Sequence, residues 1–242
     1  MLRLEHISWN TPEGTKVLDD LSLTAPDGKL TVITGPNGGG KTTLAKIIAG
    51  IEKPASGRVY LDDTDITDLD VTQRARLGVS YAFQQPVRFK GITVRQLVEL
   101  ASGNTLDEAA LCAVLSRVGL CAREYIDREV NSTLSGGEIK RIEIATVLAR
   151  HTRLSVFDEP EAGIDLWSFA NLIEVFQEMR RSLKGTLLII SHQERILKIA
   201  DEIAVVAGGR VSRQGGASDV MGDLLACSPM AENCVKQEAV FE

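Results

Sequence analysis

Long hydrophobic runs are absent from this sequence, and no stretch approaches the ~20 apolar residues that a membrane-spanning helix needs. The start of the chain, from Met1 to Glu5, lacks the apolar core of a signal peptide, so we expect a cytoplasmic protein. There is no block of lysine and arginine and the formal net charge is −6, which argues against a nucleic-acid partner. No segment of about 20 to 50 residues repeats, which excludes a solenoid or a propeller.

Cysteine is also sparse. The four cysteines form no C-x-x-C pair and have no neighbouring histidines, so neither a zinc site nor a redox pair is indicated; they are Cys112, Cys121, Cys227 and Cys234. We interpret them as free thiols, because disulfides are rare in the cytosol. The hydrophobic content of 44% is enough for one α/β domain with a smaller insertion, or for two small domains.

One glycine-rich segment matches the phosphate-binding P-loop, G-x-x-x-x-G-K-(S/T), at every fixed position. It consists of Gly35, Pro36, Asn37, Gly38, Gly39, Gly40, Lys41, Thr42 and Thr43. A strand-like run over 30–34 precedes it, and a helix-like run over 44–49 follows it. The glycines let backbone N–H groups point at a polyphosphate, and the helix dipole adds positive potential at the same place. The segment predicts a nucleoside triphosphate site, with Lys41 on the β- and γ-phosphates and the Thr42 hydroxyl on Mg²⁺.

The residues before the P-loop predict a small antiparallel sheet, with short strands between Leu2 and Leu23 and a turn at 12–14. Trp9 lies on the way into that turn. We predict that its ring stacks on the purine of the nucleotide; the alternative is an edge-strand aromatic that covers the core. After the P-loop helix, the acidic residues over 62–65 lack the glycine and distal glutamate of a calcium loop, which favours a solvent-exposed turn.

A helical insertion is predicted within the α/β core. The strand-like run over 77–83 ends at Gln84, Gln85 and Pro86, and apolar residues then recur at helical spacing from 93 to about 131. The stretch 105–108 indicates a capping box at the start of a second helix in this region. We therefore expect residues 1–86 and 134–217 to form the core with the antiparallel sheet, 87–133 a helical subdomain, and 218–242 a C-terminal tail.

A second anion site is predicted where the insertion ends, at Leu134 to Glu138. Ser135 and Glu138 stand at capping-box spacing before a strong helix that runs to about Arg150. Gly136 and Gly137 leave the first N–H groups of that helix uncovered, as an anion site requires. The alternative is an ordinary glycine turn before a helix.

Two further strands are predicted to end beside the P-loop, because buried parallel strands present ligands at their carboxyl ends. The run over 154–158 delivers Asp158, suited to Mg²⁺, and Glu159, suited to positioning an attacking water. The run over 185–192 ends on His192, whose ring can hydrogen-bond the γ-phosphate and that water. Asp165 is suited to the N-cap of the helix that follows the first of these strands.

Together these segments resemble the ATP-binding-cassette ATPases. The family's Walker A motif corresponds to 35–43, its Q-loop glutamine to Gln84 and its signature to 134–138. Its Walker B motif corresponds to 154–158, its catalytic glutamate to Glu159, its D-loop to 162–165 and its switch histidine to His192. The resemblance implies a P-loop α/β fold with an N-terminal antiparallel β subdomain and a helical insertion. It also implies an ATP-dependent head-to-tail homodimer, in which the signature of one chain closes on the ATP of the other and Asp165 reaches across the interface. Gln84 would contact Mg²⁺ and the attacking water and report the nucleotide state to the insertion.

Within that family, the segments 82–87, 159–165 and 191–197 resemble the ATPase subunit of the SUF iron–sulfur cluster assembly system. This resemblance implies a soluble iron–sulfur scaffold partner, of the SufB/SufD kind, that is rearranged by ATP-driven closure. The insertion is short for that type, and Ile139 stands where a lysine is expected. The alternative is the ATP-binding subunit of a membrane transporter. A DNA-repair cassette is disfavoured, since the chain has neither a long coiled coil nor a basic stripe.

Overall fold

The structure is a computed structural model that describes residues 1–85, 87–150, 152–182 and 184–226. In chain order its elements are β1 (Leu2–Asn10), β2 (Lys16–Ala25), β3 (Leu30–Thr34), α1 (Lys41–Ala49), β4 (Ser56–Leu61), β5 (Thr64–Asp65), α2 (Val71–Arg76), β6 (Val79–Ala82), α3 (Val94–Ser102), α4 (Glu108–Arg117), α5 (Ala122–Tyr125), α6 (Gly136–Arg150), β7 (Leu154–Asp158), α7 (Leu166–Ser182), β8 (Thr186–Ile190), α8 (Glu194–Ile199), β9 (Glu202–Ala207), β10 (Arg210–Gly216) and α9 (Ala217–Ala226).

The N-terminal strands form an antiparallel sheet, as the sequence predicts, and β4 and β5 extend it in the order β2-β1-β4-β5. Alternation along β1 places Leu2, Leu4 and Ile7 in the core, although bulges interrupt the register after Leu4. The same cluster of buried side chains includes Leu44 and Ile47 of α1. This sheet is therefore anchored directly on the helix that follows the P-loop.

The second sheet has the order β10-β9-β3-β8-β7-β6 and is parallel from β9 to β6, with β10 added antiparallel at one edge. Strands β3, β7 and β8 are buried along their whole length, as expected of strands covered on both faces. Their carboxyl ends lie side by side, since β3 pairs with β8 and β8 with β7. The P-loop, Glu159 and the segment before His192 therefore leave the sheet at one edge.

The helices after β6 depart in detail from the sequence prediction. The expected capping box over 105–108 is wrong: α4 is capped by Asp107, whose Oδ1 accepts from the Ala110 N–H at 2.7 Å. A true capping box instead begins α3, between Thr93 and Gln96. Thr105 and Asp107 both have side chains that can cap a helix, and α4 begins directly after Asp107.

Three helices of the described residues were not anticipated. Short α2 begins with a capping box between Asp70 and Gln73, α8 follows the His192 loop, and α9 occupies the start of the predicted C-terminal tail, with Val220 buried. Cys112 and Cys121 are exposed free thiols, whereas Cys227 and Cys234 lie outside the described residues. Within the described part of the chain, no helix combines the length and the apolarity needed to span a bilayer.

Residues 62 and 63 form the predicted turn, and Thr64–Asp65 of the same acidic segment form β5. Asp62 is engaged by the N-terminal amine and by Arg153. Across the described ranges, no group of three or more histidine, cysteine or acidic side chains is placed to hold a metal ion.

Candidate nucleotide-binding site

The P-loop wraps the N-terminus of α1, and its lysine points back across the loop. The Lys41 ammonium donates to the carbonyl oxygens of Gly35 at 2.8 Å and Pro36 at 2.9 Å. Gly40 occupies the N-cap position with φ 97°, and no side chain caps the helix within the described residues. The first N–H groups of α1 are therefore available to an anion, which the helix dipole also favours.

Three glycines of this loop are required by the fold itself. A Cβ at Gly35 would lie 2.1 Å from the Val206 carbonyl oxygen, and one at Gly39 would lie 2.7 Å from the same atom. At Gly40 a Cβ would lie 2.6 Å from Leu18 Cδ2. The Val206 backbone of β9 and the Leu18 side chain of β2 therefore lie too close to these positions to admit a side chain, so the loop keeps this path only with glycine there.

Val17 and Glu159 share a cavity with the P-loop residues 37–43. Trp9 is half-buried on β1 and pairs with Leu18, the neighbour of Val17. It packs against the buried cluster beneath the antiparallel sheet. The stacking of its ring on a purine stays a prediction.

Asp158 and Thr42 meet at the end of β7, as the predicted Mg²⁺ site requires. Asp158 has no exposed surface, and its Oδ1 accepts from the Thr42 hydroxyl at 3.4 Å. Its Oδ2 accepts from the Tyr81 hydroxyl at 3.0 Å. Burial raises the pKa of Asp158 and also that of Tyr81. A carboxylate and a hydroxyl are hard oxygen donors of the kind that Mg²⁺ prefers, so the residues present fit that ion.

Gln84 and Glu159 are brought into direct contact, although they lie on different loops. The Gln84 Nε2 donates to Glu159 Oε2 at 2.6 Å, and the Glu159 N–H donates to the Ile190 carbonyl at 2.9 Å. Glu159 has φ 45°, a left-handed backbone conformation that is uncommon outside glycine. The backbone strain is located at the predicted catalytic residue, which is a frequent place for it.

His192 lies two residues beyond the end of β8 and is exposed. The preceding hydroxyl, Ser191 Oγ, donates to Glu161 Oε1 at 2.5 Å and accepts from the Gln193 N–H at 3.0 Å. Burial raises the pKa of Glu161, and its second oxygen has no partner among the described residues. These bonds tie the loop that carries His192 to the loop that follows Glu159.

At the signature segment, the predicted capping box is present. The Ser135 N–H donates to Glu138 Oε2 at 2.7 Å, and the Glu138 N–H donates to Ser135 Oγ at 3.2 Å. The Tyr125 hydroxyl also donates to Glu138, and Arg128 lies 3.5 Å from the same carboxylate. These contacts, with the Tyr125 bond first, lower the pKa of Glu138 to about 2.

Asp165 is an N-cap, since its Oδ1 accepts from the Ser168 N–H at 3.0 Å. Its expected reach across a subunit interface stays a prediction. So does contact of Ser135, Gly136, Gly137 and Glu138 with a nucleotide held by a second chain.

A buried ion pair that no sequence motif predicted lies beneath the Q-loop. Lys140 of α6 has no exposed side-chain surface, donates to the carbonyl oxygens of Phe83 and Gln84, and lies 3.1 Å from Glu143 Oε2. Glu143 Oε1 accepts the Phe83 N–H at 2.8 Å. The one available signal was the pairing of opposite charges three positions apart on a helix, which usually marks an exposed face.

An apolar groove lies beside the Q-loop, between the end of β6, the insertion and α6. Tyr81 and Phe83 form one wall, and their rings meet edge to face with centroids 4.8 Å apart. Leu97 and Ile142 line the other side, and Phe83 remains 40% exposed. Phe83 of this groove directly precedes Gln84 in the chain.

Comparison with known proteins defines the class. Residues 18–162 match the family model described as ABC transporter, and the chain belongs to that family. It is 37% identical over 214 residues to an uncharacterized ABC transporter ATP-binding protein of Methanocaldococcus jannaschii, covering 85% of each chain. It is 32% identical over 228 residues to an energy-coupling factor transporter ATP-binding protein of Mycoplasma mobile, covering 91% of this chain and 82% of the relative.

A solved ATP-binding cassette of an ABC transporter, in its ADP conformation, superposes with a TM-score of 0.79 at 28% identity. The match covers 98% of this chain and 99% of that one. The predicted P-loop cassette fold is thereby confirmed, and the chain is an ATP-binding protein of this fold. Both curated relatives carry transporter names, so the finer resemblance to the iron–sulfur ATPase remains a hypothesis.

Proposed function

We propose that this chain hydrolyses ATP as a head-to-tail homodimer and that the nucleotide cycle drives a conformational change in a partner bound at the apolar groove. The proposal of a dimer rests on the backbone conformation and the surroundings of Gly136. Its φ is not positive, and apart from its chain neighbours and the backbone of its own helix, no described atom lies within 4 Å of where its Cβ would be. The chain alone therefore gives no reason for glycine there, in contrast to Gly35, and close approach by a ligand held on a second chain supplies one.

The chemistry assigned to the site follows from its contacts. Lys41 and the free N–H groups of α1 bind the phosphates, and Asp158 with Thr42 would hold Mg²⁺. That ion, when bound, neutralises charge that develops on the phosphate oxygens. Glu159 orients the attacking water, and His192 hydrogen-bonds the γ-phosphate. In the structure Gln84 donates to Glu159 Oε2, which leaves Oε1 to accept from a water.

Glu159→Gln tests the hydrolytic role. An amide keeps the size of the side chain and its bond to Gln84 but loses the basic oxygen, so we expect ATP binding at the normal affinity, a fall in turnover of at least ~100-fold and accumulation of an ATP-bound dimer. Size-exclusion chromatography with and without ATP gives the dimer, and phosphate release gives the rate. Glu174→Gln, on the outer part of α7, is a matched control. Turnover at the normal rate in Glu159→Gln would remove Glu159 from this role.

For the partner, we propose a membrane-embedded transport subunit. The names of the relatives support this proposal, and so does the groove, whose apolar walls suit a short amphipathic segment. The segment 87–133, proposed as a helical subdomain, forms one side of this groove through Leu97 and Val130. A partner seated there would press on Phe83, which directly precedes Gln84.

A second candidate is an iron–sulfur scaffold of the SufB/SufD kind. It is favoured by the residues over 159–165 and 191–197, which resemble the SUF ATPase. The acid at position 161 of that stretch is engaged by Ser191, so the two resembling segments form one structural unit. In this candidate the iron and sulfide chemistry belongs to the partner.

Affinity capture separates the two candidates. The tagged chain is recovered anaerobically from native extract, first without detergent and then with it, and the recovered proteins are identified and assayed for iron and sulfide. A multi-span membrane protein that appears only with detergent supports the transporter. A stoichiometric partner that carries iron and sulfide without detergent would overturn it in favour of the scaffold. Phe83→Asp, which places a charge in the groove, should abolish capture in either case.

A further inference from the structure

Tyr81 touches the proposed metal site, although it belongs to none of the family motifs. It lies on β6, which pairs in parallel with β7 so that Tyr81 is opposite Val156 and Ala82 is opposite Phe157. Its hydroxyl donates to Asp158 Oδ2 at 3.0 Å, while Asp158 Oδ1 faces the Thr42 hydroxyl at 3.4 Å. The two carboxylate oxygens therefore have separate partners, one on each side.

The ring of Tyr81 is fixed at its other end by packing. It lines the apolar groove and meets the Phe83 ring at an interplanar angle of 73°. Strand pairing and this ring contact together fix the position of the Tyr81 ring, and the ring in turn fixes where its hydroxyl meets Asp158. A buried carboxylate held in this way cannot rotate its Oδ1 away from Thr42 without losing the bond to Tyr81.

We propose that Tyr81 is a positioning residue for the Mg²⁺ site: its hydroxyl holds the Asp158 carboxylate in the orientation that presents Oδ1 to the metal beside Thr42. The inference rests on the proposed function, in which Asp158 and Thr42 hold Mg²⁺. Hydrogen bonds to ligating carboxylates are worth about 10- to 100-fold in metal affinity. Tyr81 would act through Asp158 and would not touch the nucleotide.

Tyr81→Phe removes the hydroxyl and keeps the ring in the groove. The experiment titrates Mg²⁺ against the purified chain in the presence of a fluorescent ATP analogue, and it measures the Mg²⁺ concentration that gives half-maximal binding. We expect this concentration to rise about 10-fold or more. Binding of the analogue in EDTA should be unchanged, because the P-loop contacts do not involve Tyr81. In the presence of ATP, the Mg²⁺ concentration that gives half of the rise in Tm should increase by the same factor.

Two controls bound the result. Tyr60→Phe removes a hydroxyl from the antiparallel sheet and should leave the titration unchanged. Tyr81→Met removes both ring and hydroxyl, so an equal shift in Tyr81→Phe and Tyr81→Met assigns the effect to the hydroxyl. A half-saturation concentration within about twofold of the wild type in Tyr81→Phe, or in Tyr81→Met if Tyr81→Phe does not fold, would overturn the inference.

Asp158→Asn distinguishes this failure from failure of the metal site itself. If Asp158→Asn raises the Mg²⁺ requirement and the Tyr81 variants do not, the metal site stands and the positioning role falls. If Asp158→Asn also behaves like the wild type, both the proposed Mg²⁺ site and the inference drawn from it are refuted.

Discussion

Lys140→Met is the substitution for which the structure gives the largest expected effect on stability. The lysine is fully buried, and its removal leaves the Glu143 carboxylate buried without the cation that lies 3.1 Å away. It also leaves the carbonyl oxygens of Phe83 and Gln84 without this donor. Breaking a buried ion pair from one side costs about 3–5 kcal/mol. Since a domain is stable by only about 5–15 kcal/mol, we expect a large loss.

The measurement is urea unfolding of four proteins that form a double-mutant cycle: the wild type, Lys140→Met, Glu143→Gln and the double variant. Glutamine retains an oxygen that can accept the Phe83 N–H, so Glu143→Gln removes the charge while preserving that bond. We expect the double variant to recover about 2 kcal/mol relative to Lys140→Met, because no unpaired charge then remains. A coupling free energy near zero would refute the assignment of this pair.

The same variant has an expected pH dependence. Burial raises the pKa of Glu143 in the folded chain, and Lys140 opposes that rise. Without Lys140 the pKa is higher still. When the pKa of a carboxyl is higher in the folded than in the unfolded chain, the free energy of unfolding falls as pH rises through the folded pKa. The loss caused by Lys140→Met should therefore be smallest near pH ~4 and grow towards pH ~7; a loss that does not vary with pH would contradict this reasoning.

Two further predictions concern stability. Arg74 of α2 is 1% exposed and donates to the carbonyl oxygens of Ile47 at 2.6 Å and Ile48 at 2.9 Å, at the end of α1. Arg74→Met should lower the free energy of unfolding in urea by about 3 kcal/mol, whereas Arg76→Met, at an exposed position of α2, should lower it by less than ~0.5 kcal/mol. Glu138 has a pKa lowered to about 2, so its contribution is present above its ordinary pKa and is lost as pH falls towards 2. Glu138→Gln should thus lower stability at pH ~7 by about 1 kcal/mol after allowance for solvent screening, and the difference should vanish near pH ~2; an equal difference at both values would exclude the charge as its source.

Much of the nucleotide site follows from the sequence because its parts are local. The P-loop glycines, Lys41 and Thr42 are contiguous, and their function depends on backbone N–H groups that a strand–loop–helix segment orients without help from distant residues. The capping box of Ser135 and Glu138 spans three positions and is likewise set within one helical turn. Leu154, Val156 and Phe157 make the run over 154–158 predominantly apolar, which favours a buried strand and places Asp158 at its carboxyl end.

Tertiary structure decided which distant side chains act on those parts. Tyr81 reaches Asp158 only because β6 pairs with β7 in one register, and a shift by one residue would turn its ring to the opposite face. Lys140 and Glu143 form a helix pair that is ordinarily exposed, and they became buried because the Q-loop backbone lies across them. Arg74 caps a helix 26 positions away along the chain. Sequence therefore determined the groups that bind and react, through short-range backbone geometry, whereas long-range packing alone determined the residues that hold them in place.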